Sequence, residues 1–192
     1  AKDLHDLLVA LELDEVTLLG HSMGWSGIWS YLDLFGSERV AKLALIDQMP
    51  FITANPDWSE QERIDAGAIL DQSTLYPTIN GIAGADGVAV TSEFVGGMFT
   101  PAYDRAKVAW VIEQNLQLPR RHAATLLYNH ATQDWRDVVR RITLPTLIVG
   151  GRKSLIPWRS QVWMQNAIPG SRLEIFEEDE GEDDRADTKK PS

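Results

Sequence analysis

A serine between two glycines is the first feature of this sequence that suggests chemistry. Residues 20–24 read Gly-His-Ser-Met-Gly, after a short apolar run and before a helical pattern. A strand that bends sharply into a helix needs glycines beside the bend, and it lifts the serine hydroxyl above the sheet. The helix that follows has its positive end near the oxygen of an attacked carbonyl. We therefore predict that Ser22 is a nucleophile for acyl transfer and that the Met23 backbone N–H donates to the oxyanion. The alternative is a small-residue turn without catalysis.

The elements that must position this serine are strands alternating with helices. Leu4, Leu7, Leu8 and Leu11 share one helical face before the first apolar run. Apolar runs separated by helices are typical of a buried parallel sheet, so we expect an α/β fold. The predicted strands cover residues 15–19, 40–46, 146–149 and 172–176, and helices cover 23–35 and 158–167.

A long segment between the second and third strands has helical patterns only. Ser59 and Glu62 form a possible capping box for a helix through about residue 72. Further helices are predicted over 102–116, 121–130 and 134–141, while 78–97 is too glycine-rich to assign. A helical block between two sheet-forming parts suggests an inserted cap. The predicted division is core over 1–50, helical cap over 51–142, core over 143–176 and a disordered acidic tail over 177–192.

The composition excludes several classes of function. The chain has 192 residues, no cysteine and a net charge of −10, half of which comes from the tail after residue 176. Thiolate chemistry is therefore excluded, and no basic patch favours nucleic-acid binding. No apolar run is long enough to cross a membrane, and no signal peptide is visible. We expect a cytoplasmic protein that binds neither nucleic acid nor membrane.

Residues 18–24 and 39–47 together resemble the α/β-hydrolase superfamily, in its branch of esterases, lactonases and haloperoxidase-like enzymes with a helical cap. The resemblance extends from residue 1 to about 176. It implies that the four predicted strands correspond to strands 5 to 8 of the family. Strands 1 to 4 and the second oxyanion donor would then lie outside this sequence. It also implies a reaction that needs neither a cofactor nor a metal.

The resemblance places the catalytic acid after strand 7 or, in some branches, after strand 6. The usual acid position after strand 7 holds Ser154, which cannot stabilise a charged histidine. Asp47 follows strand 6, and parallel strands end at the same edge of a sheet, so Asp47 is the candidate acid. The alternative is that Asp47 only binds backbone N–H groups in its loop.

The histidine of such a triad is absent from its expected place. In the family it follows strand 8, usually after a glycine, but Gly181 is followed by three acidic residues. His21 should point away from Ser22, and His5 lies on a helix beside the sheet. His122 and His130 lie on helices of the predicted cap, where one of them could line the pocket, although for both a surface or core position is the favoured interpretation. Without a base Ser22 is a poor nucleophile, so we expect this chain to be inactive by itself.

Aromatic residues near the bend and in the helical block suggest an apolar pocket. Trp25 and Trp110, with His21, are candidate substrate-binding residues. Packing inside the cap is the stronger interpretation of the aromatic residues. An apolar pocket would favour a small apolar ester or a lactone as substrate.

Three hypotheses for function follow. The first is a serine hydrolase that acts on a carboxylic ester or lactone through a Ser22 acyl-enzyme. The second is a non-catalytic relative that uses the pocket or its surface for binding, which the missing histidine favours. A nucleotide-binding domain is the third, and no G-x-G-x-x-G segment supports it.

The resemblance leaves the first predicted strand at an open edge of the sheet. Such an edge predicts aggregation or homo-oligomers.

Overall fold

The computed structural model describes residues 1–177, which fold into four strands and nine helices. The disorder expected for the acidic tail falls almost wholly outside these residues. The elements in chain order are α1 Lys2–Ala10, β1 Val16–His21, α2 Gly24–Phe35, β2 Val40–Ile46, α3 Glu60–Ala66, α4 Gln72–Ala83, α5 Gly87–Gly96, α6 Arg105–Leu116, α7 Arg120–Ala131, α8 Arg136–Arg140, β3 Thr146–Gly151, α9 Trp158–Ala167 and β4 Arg172–Phe176.

The four strands form one parallel sheet, in the order β1-β2-β3-β4. This confirms the predicted α/β class. In the register of the sheet His21 pairs with Ile46, and Ile46 pairs with Val149. The carboxyl ends of β1, β2 and β3 therefore lie side by side. The residues that follow these strands are brought to one edge of the sheet, as parallel pairing requires.

The main hydrophobic core lies between the sheet and the helices that cover it. Leu45 of β2 and Ile148 of β3 are fully buried, as are Trp29 of α2 and Met164 of α9. Burying side chains of this size contributes about 1.5–3 kcal/mol each. The core thus fixes β1 and α2, the two elements that flank Ser22.

A second and smaller cluster lies around Met49, Ile52, Leu75 and Ala131, with α4 and α7 as its helical members. The short α8 packs instead on the main core, where Val138 and Val139 are buried.

The structure corrects two expectations for this helical block. The helix predicted from Ser59 to residue 72 ends at Ala66, because Gly67 adopts a left-handed conformation (φ +72°) and terminates it. Asp71 then caps the next helix. The segment 78–97, left unassigned, contains the end of α4 and all of α5. The Ser59–Glu62 capping box is present as predicted.

Strand β1 lies at the edge of the sheet and pairs only with β2 among the described residues. On this strand Leu19 is 63% exposed. Leu7 and Leu11, which precede β1 in the chain, are also exposed. The association expected from an open edge remains a prediction. No helix within residues 1–177 combines the length and apolar character needed to span a membrane.

Candidate active site

Ser22 occupies a strained bend between β1 and α2. Its φ is +49°, a left-handed value that a serine rarely adopts. The Ser22 N–H donates to the carbonyl of Ile46 at 3.0 Å, and the Ser22 carbonyl accepts from the Trp25 N–H at 3.0 Å. The sheet and the first turn of α2 therefore hold the bend from both sides. Strain that the surroundings maintain in this way is typical of functional sites.

The two glycines of the bend have different roles. A Cβ added at Gly20 would lie 2.8 Å from Cδ1 of Trp25 and 3.0 Å from Cδ1 of Ile28. An added Cβ at Gly24 would meet nothing within 4 Å. The expectation that both glycines prevent a clash is thus wrong for Gly24. Only Gly20 is required by close packing in this structure.

Gly20→Ala is therefore expected to lower the free energy of unfolding by about 1–3 kcal/mol, because the buried Trp25 ring cannot move aside. Gly24→Ala is the matched control, and it should change stability by less than about 0.5 kcal/mol. Urea denaturation followed by circular dichroism measures both. Equal effects of the two substitutions would contradict the packing argument.

The Met23 backbone N–H is free to donate to a ligand. Met23 immediately precedes α2, and its N–H has no hydrogen-bond acceptor among residues 1–177. Its side chain lines the same cavity as Ser22. A free N–H at the start of a helix next to a nucleophile has the properties needed of an oxyanion donor.

Asp47 follows β2 directly and is held at the same edge of the sheet as Ser22. Its φ is +51°, and its N–H donates to the Val149 carbonyl at 2.8 Å. The hydroxyl of Ser154 donates to Oδ2 of Asp47 at 2.6 Å and accepts from the Ile156 N–H at 3.0 Å. The serine that stands in the usual acid position therefore fixes a carboxylate supplied by the neighbouring strand.

The second carboxylate oxygen of Asp47 has no donor. Oδ1 is sealed from solvent and has no hydrogen-bond partner among the described residues. This burial raises the pKa of Asp47, while the Ser154 hydrogen bond, the charge of His21 and the Gly151 backbone N–H oppose the rise. A buried acceptor without a partner is uncommon in proteins. It would be satisfied by an imidazole N–H, which is the partner of the acid in a Ser-His-Asp triad.

A cavity of about 440 Å³ opens beside Ser22 and Met23. It lies between the sheet edge and the helical block, and most of its wall is apolar. The apolar wall includes Met49, Ile52, Val95, Leu127 and Ile156. This size is typical of pockets for small ligands, and such a wall favours an apolar ligand.

His130, at the end of α7, lies in the wall of this cavity. Its side chain is 7% exposed, and its Nδ1 lies 2.8 Å from the hydroxyl of Ser26. Burial lowers the pKa of His130 to about 4. His130 is therefore buried, in agreement with the favoured core position, and it also lines the pocket, which was the alternative.

The sequence does contain a signal for this position. Ala123, Leu127 and His130 are spaced as i, i+4 and i+7 and therefore share one face of α7, and all three line the cavity. The pattern indicates the face, although it cannot show what the face contacts.

The two tryptophans named as substrate contacts lie elsewhere. Trp25 is fully buried, and its indole N–H donates to the Gly20 carbonyl at 2.7 Å. Trp110 is 61% exposed on α6 and does not line the cavity. Neither tryptophan therefore lies where a substrate-binding candidate should. Trp25 packs in the core, and Trp110 faces solvent. His21 does line the cavity.

No histidine hydrogen-bonds to the Ser22 hydroxyl within residues 1–177. His5 stacks on Phe35, at 4.1 Å between ring centroids, and His122 is exposed on α7. The site thus brings together a strained serine, a free N–H and a buried carboxylate, without the base that would connect them.

A comparison with known proteins finds a family model and relatives that match this chain. The model of a family described as alpha/beta hydrolase fold matches residues 1–181. The chain is 26% identical over 187 residues to a non-heme chloroperoxidase of Kitasatospora aureofaciens, covering 92% of this chain and 64% of that protein. The chain therefore spans slightly less than two thirds of this relative's length.

Solved structures agree with this match. An esterase from Exiguobacterium antarcticum superposes with a TM-score of 0.80 at 26% identity, over 92% of this chain and 63% of that one. A bromoperoxidase from Bacillus anthracis gives a TM-score of 0.80 at 24% identity, over 91% and 63%. At 24% identity, the likeness to the bromoperoxidase shows the fold alone.

Proposed function

Since this chain belongs to the alpha/beta hydrolase fold family, we propose that it supplies the nucleophile of a serine hydrolase acting on a carboxylic ester or lactone. The observation that carries the proposal is the strained Ser22, with φ of +49°, in the wall of the apolar cavity and directly before the free Met23 N–H. Hydrogen bonds from the sheet and from the first turn of α2 hold this conformation in place.

In the proposed reaction the Ser22 oxygen attacks the carbonyl carbon of the ester. A new C–O bond forms, and the carbonyl oxygen becomes an oxyanion that accepts from the Met23 N–H. The bond to the leaving alcohol then breaks, and the proton from Ser22 passes through a base to that alcohol. Water releases the acyl group from Ser22 in the second half of the cycle.

Asp47 is the proposed acid that orients a histidine and stabilises its charged form. Ser154 fixes one carboxylate oxygen, and the buried Oδ1, which has no hydrogen-bond partner among residues 1–177, is the proposed acceptor for an imidazole N–H. Because no histidine reaches Ser22 within residues 1–177, we expect this chain to react slowly by itself. Losing one member of a triad typically costs many orders of magnitude in rate.

The proposed substrate is a small apolar ester or lactone, because the cavity wall is mostly apolar. A charged acyl chain would lose its hydration along the apolar part of this wall. Arg120 also lies in the wall, where its guanidinium donates to Thr91, to Asn115 and to the carbonyl of Leu118. We also propose that the protein is cytoplasmic and that it associates with copies of itself.

A binding protein without catalytic activity is the second candidate function. The observation that favours it is the absence of any hydrogen bond between Ser22 and the four histidines of the chain, all of which are described. Such a protein would use the cavity to hold a ligand of the same apolar chemistry.

A fluorophosphonate probe tests the proposed nucleophile. We expect slow covalent labelling of the chain, lost in Ser22→Ala and raised by free imidazole, which can act as an external base. The labelled residue is identified by mass spectrometry of peptides. Ser26→Ala is the matched control, since Ser26 lies inside α2, four residues after Ser22, and should not be the labelled residue.

Labelling that survives in Ser22→Ala would show that the nucleophile is assigned wrongly. Absence of labelling, with and without imidazole, would favour the binding protein.

A further inference from the structure

Arg120 is the one lysine or arginine that lines the cavity beside Ser22, and no aspartate or glutamate among residues 1–177 lines it. Arg120 begins α7, on the helical side of the cavity, whereas Ser22 and Met23 lie at the edge of the sheet. The wall therefore carries a positive charge on its helical side and no acidic side chain to balance it.

The hydrogen-bond partners of this guanidinium are all neutral. Its Nη1 donates to Oγ1 of Thr91 at 2.9 Å and to Oδ1 of Asn115 at 3.2 Å. Its Nη2 donates to the carbonyl of Asn115 at 2.6 Å and to the carbonyl of Leu118. Arg120 forms no ion pair within the described part of the chain. These bonds hold the group in place and leave its charge uncompensated.

An uncompensated charge in this position favours an anion in the cavity. Arg120 is half-buried, so its charge has lost part of its hydration, and charges in such surroundings are usually paired. Oxygen acceptors that are neutral offset part of this cost but cannot cancel the charge. The attraction to an anion depends on distance and not on direction, so Arg120 need not give up any of its present bonds.

Two hydrogen-bond donors on this side of the cavity have no acceptor. The Nε–H of Arg120 is unused within residues 1–177, and so is the side-chain amide nitrogen of Asn115, whose oxygen accepts from Arg120. Both residues line the cavity. A carboxylate has two acceptor oxygens and one negative charge, which matches two donors and one cation. A phosphate has more oxygens and would need more donors than these.

We propose that Arg120 binds a carboxylate at the far end of the acyl chain, so that the site prefers half-esters of dicarboxylic acids to plain esters of equal length. The inference rests on the proposed function for the ester at Ser22. It narrows the substrate to a chain that is apolar along its length and charged at its end. Hydrogen bonds to charged groups have an effect that corresponds to a preference of about tenfold to hundredfold in Kd.

The test measures binding in Ser22→Ala, which cannot form the acyl-enzyme. Monoethyl adipate is compared with ethyl hexanoate, and monoethyl suberate with ethyl octanoate, because each pair differs only in a terminal carboxylate or methyl group. The monoamide of monoethyl suberate is the polar ligand without charge. The readouts are Kd by calorimetry at pH 7.5 and the Nε–H resonance of Arg120. We expect a half-ester to bind at least tenfold more tightly than its plain ester and the amide, and to move that resonance.

Arg120→Gln in the same background should bring the Kd values of each pair together, because glutamine keeps a donor and lacks the charge. Arg121→Gln is the matched control, since Arg121 is exposed on the same helix, does not line the cavity, and should leave the preference intact. Equal affinities within both pairs, an amide that binds as tightly as the half-ester, or a preference that persists in Arg120→Gln would each overturn the proposal. An unmoved Nε–H resonance would also overturn it, and this readout needs no folded Arg120 variant.

This binding experiment is independent of turnover. Absence of fluorophosphonate labelling with a retained carboxylate preference would reject the hydrolase and keep the carboxylate site. Labelling of Ser22 with equal affinities would keep the nucleophile and reject the carboxylate site.

Discussion

Replacement of Trp25 by alanine is expected to lower the free energy of unfolding by about 3–5 kcal/mol. Trp25 is fully buried, packs 5.5 Å from the ring of Trp29, and donates to the Gly20 carbonyl. The substitution leaves a large cavity directly behind the bend that carries Ser22. Since whole domains are stable by only about 5–15 kcal/mol, this loss should be visible as a large shift of the urea midpoint.

Trp25→Phe is the informative comparison. It keeps most of the ring and removes the indole N–H, so the loss should fall to roughly 1–2 kcal/mol. A substrate contact would behave differently, because alanine would then alter ligand affinity and leave stability unchanged. A stable Trp25→Ala variant with weakened binding would restore the sequence-based role.

Acidification is expected to destabilise the protein through His130. The pKa of His130 is about 4 in the folded chain and near 6.5 when unfolded, so the unfolded chain binds more protons between these values. This contribution is therefore constant above pH 6.5 and is lost as the pH falls toward 4. At about 1.4 kcal/mol for each tenfold difference in proton affinity, the loss reaches roughly 3 kcal/mol.

The measurement compares the free energy of unfolding at pH 7.5 and pH 4.5 in the parent chain and in His130→Asn. Asparagine keeps a donor toward Ser26 and does not titrate, so the variant should lose much less stability on acidification. His122→Asn should behave like the parent chain. Parallel pH curves for the parent and His130→Asn would contradict a buried neutral imidazole.

Local patterns were sufficient to predict the parts of the site that the backbone determines. The glycine-serine-glycine spacing predicted the bend at Ser22, and parallel pairing predicted that Asp47 follows the neighbouring strand at the same edge. Both depend on chain direction and on backbone angles. Such properties are visible in a few consecutive residues.

Contacts between distant segments were not predictable in this way. Trp25 was a candidate for substrate contact, but the first turn of α2 directs it behind Gly20 and into the core. The hydrogen bond from Ser154 to Asp47 joins segments 107 residues apart, and that between His130 and Ser26 joins segments 104 apart. Local patterns do not specify which loops and helices meet across such separations.

The hydrogen bonds that hold Ser22 and Asp47 come from the neighbouring strands, at the carbonyls of Ile46 and Val149. Most of the cavity wall is contributed instead by α5, α7 and nearby loops. The proposed reactivity and the proposed selectivity therefore belong to separate parts of the molecule. If the chain is the hydrolase that we propose, exchange of side chains on α5 or α7 should redirect it toward new acyl groups while the bend at Ser22 keeps its shape, which makes those helices the natural targets for directed evolution.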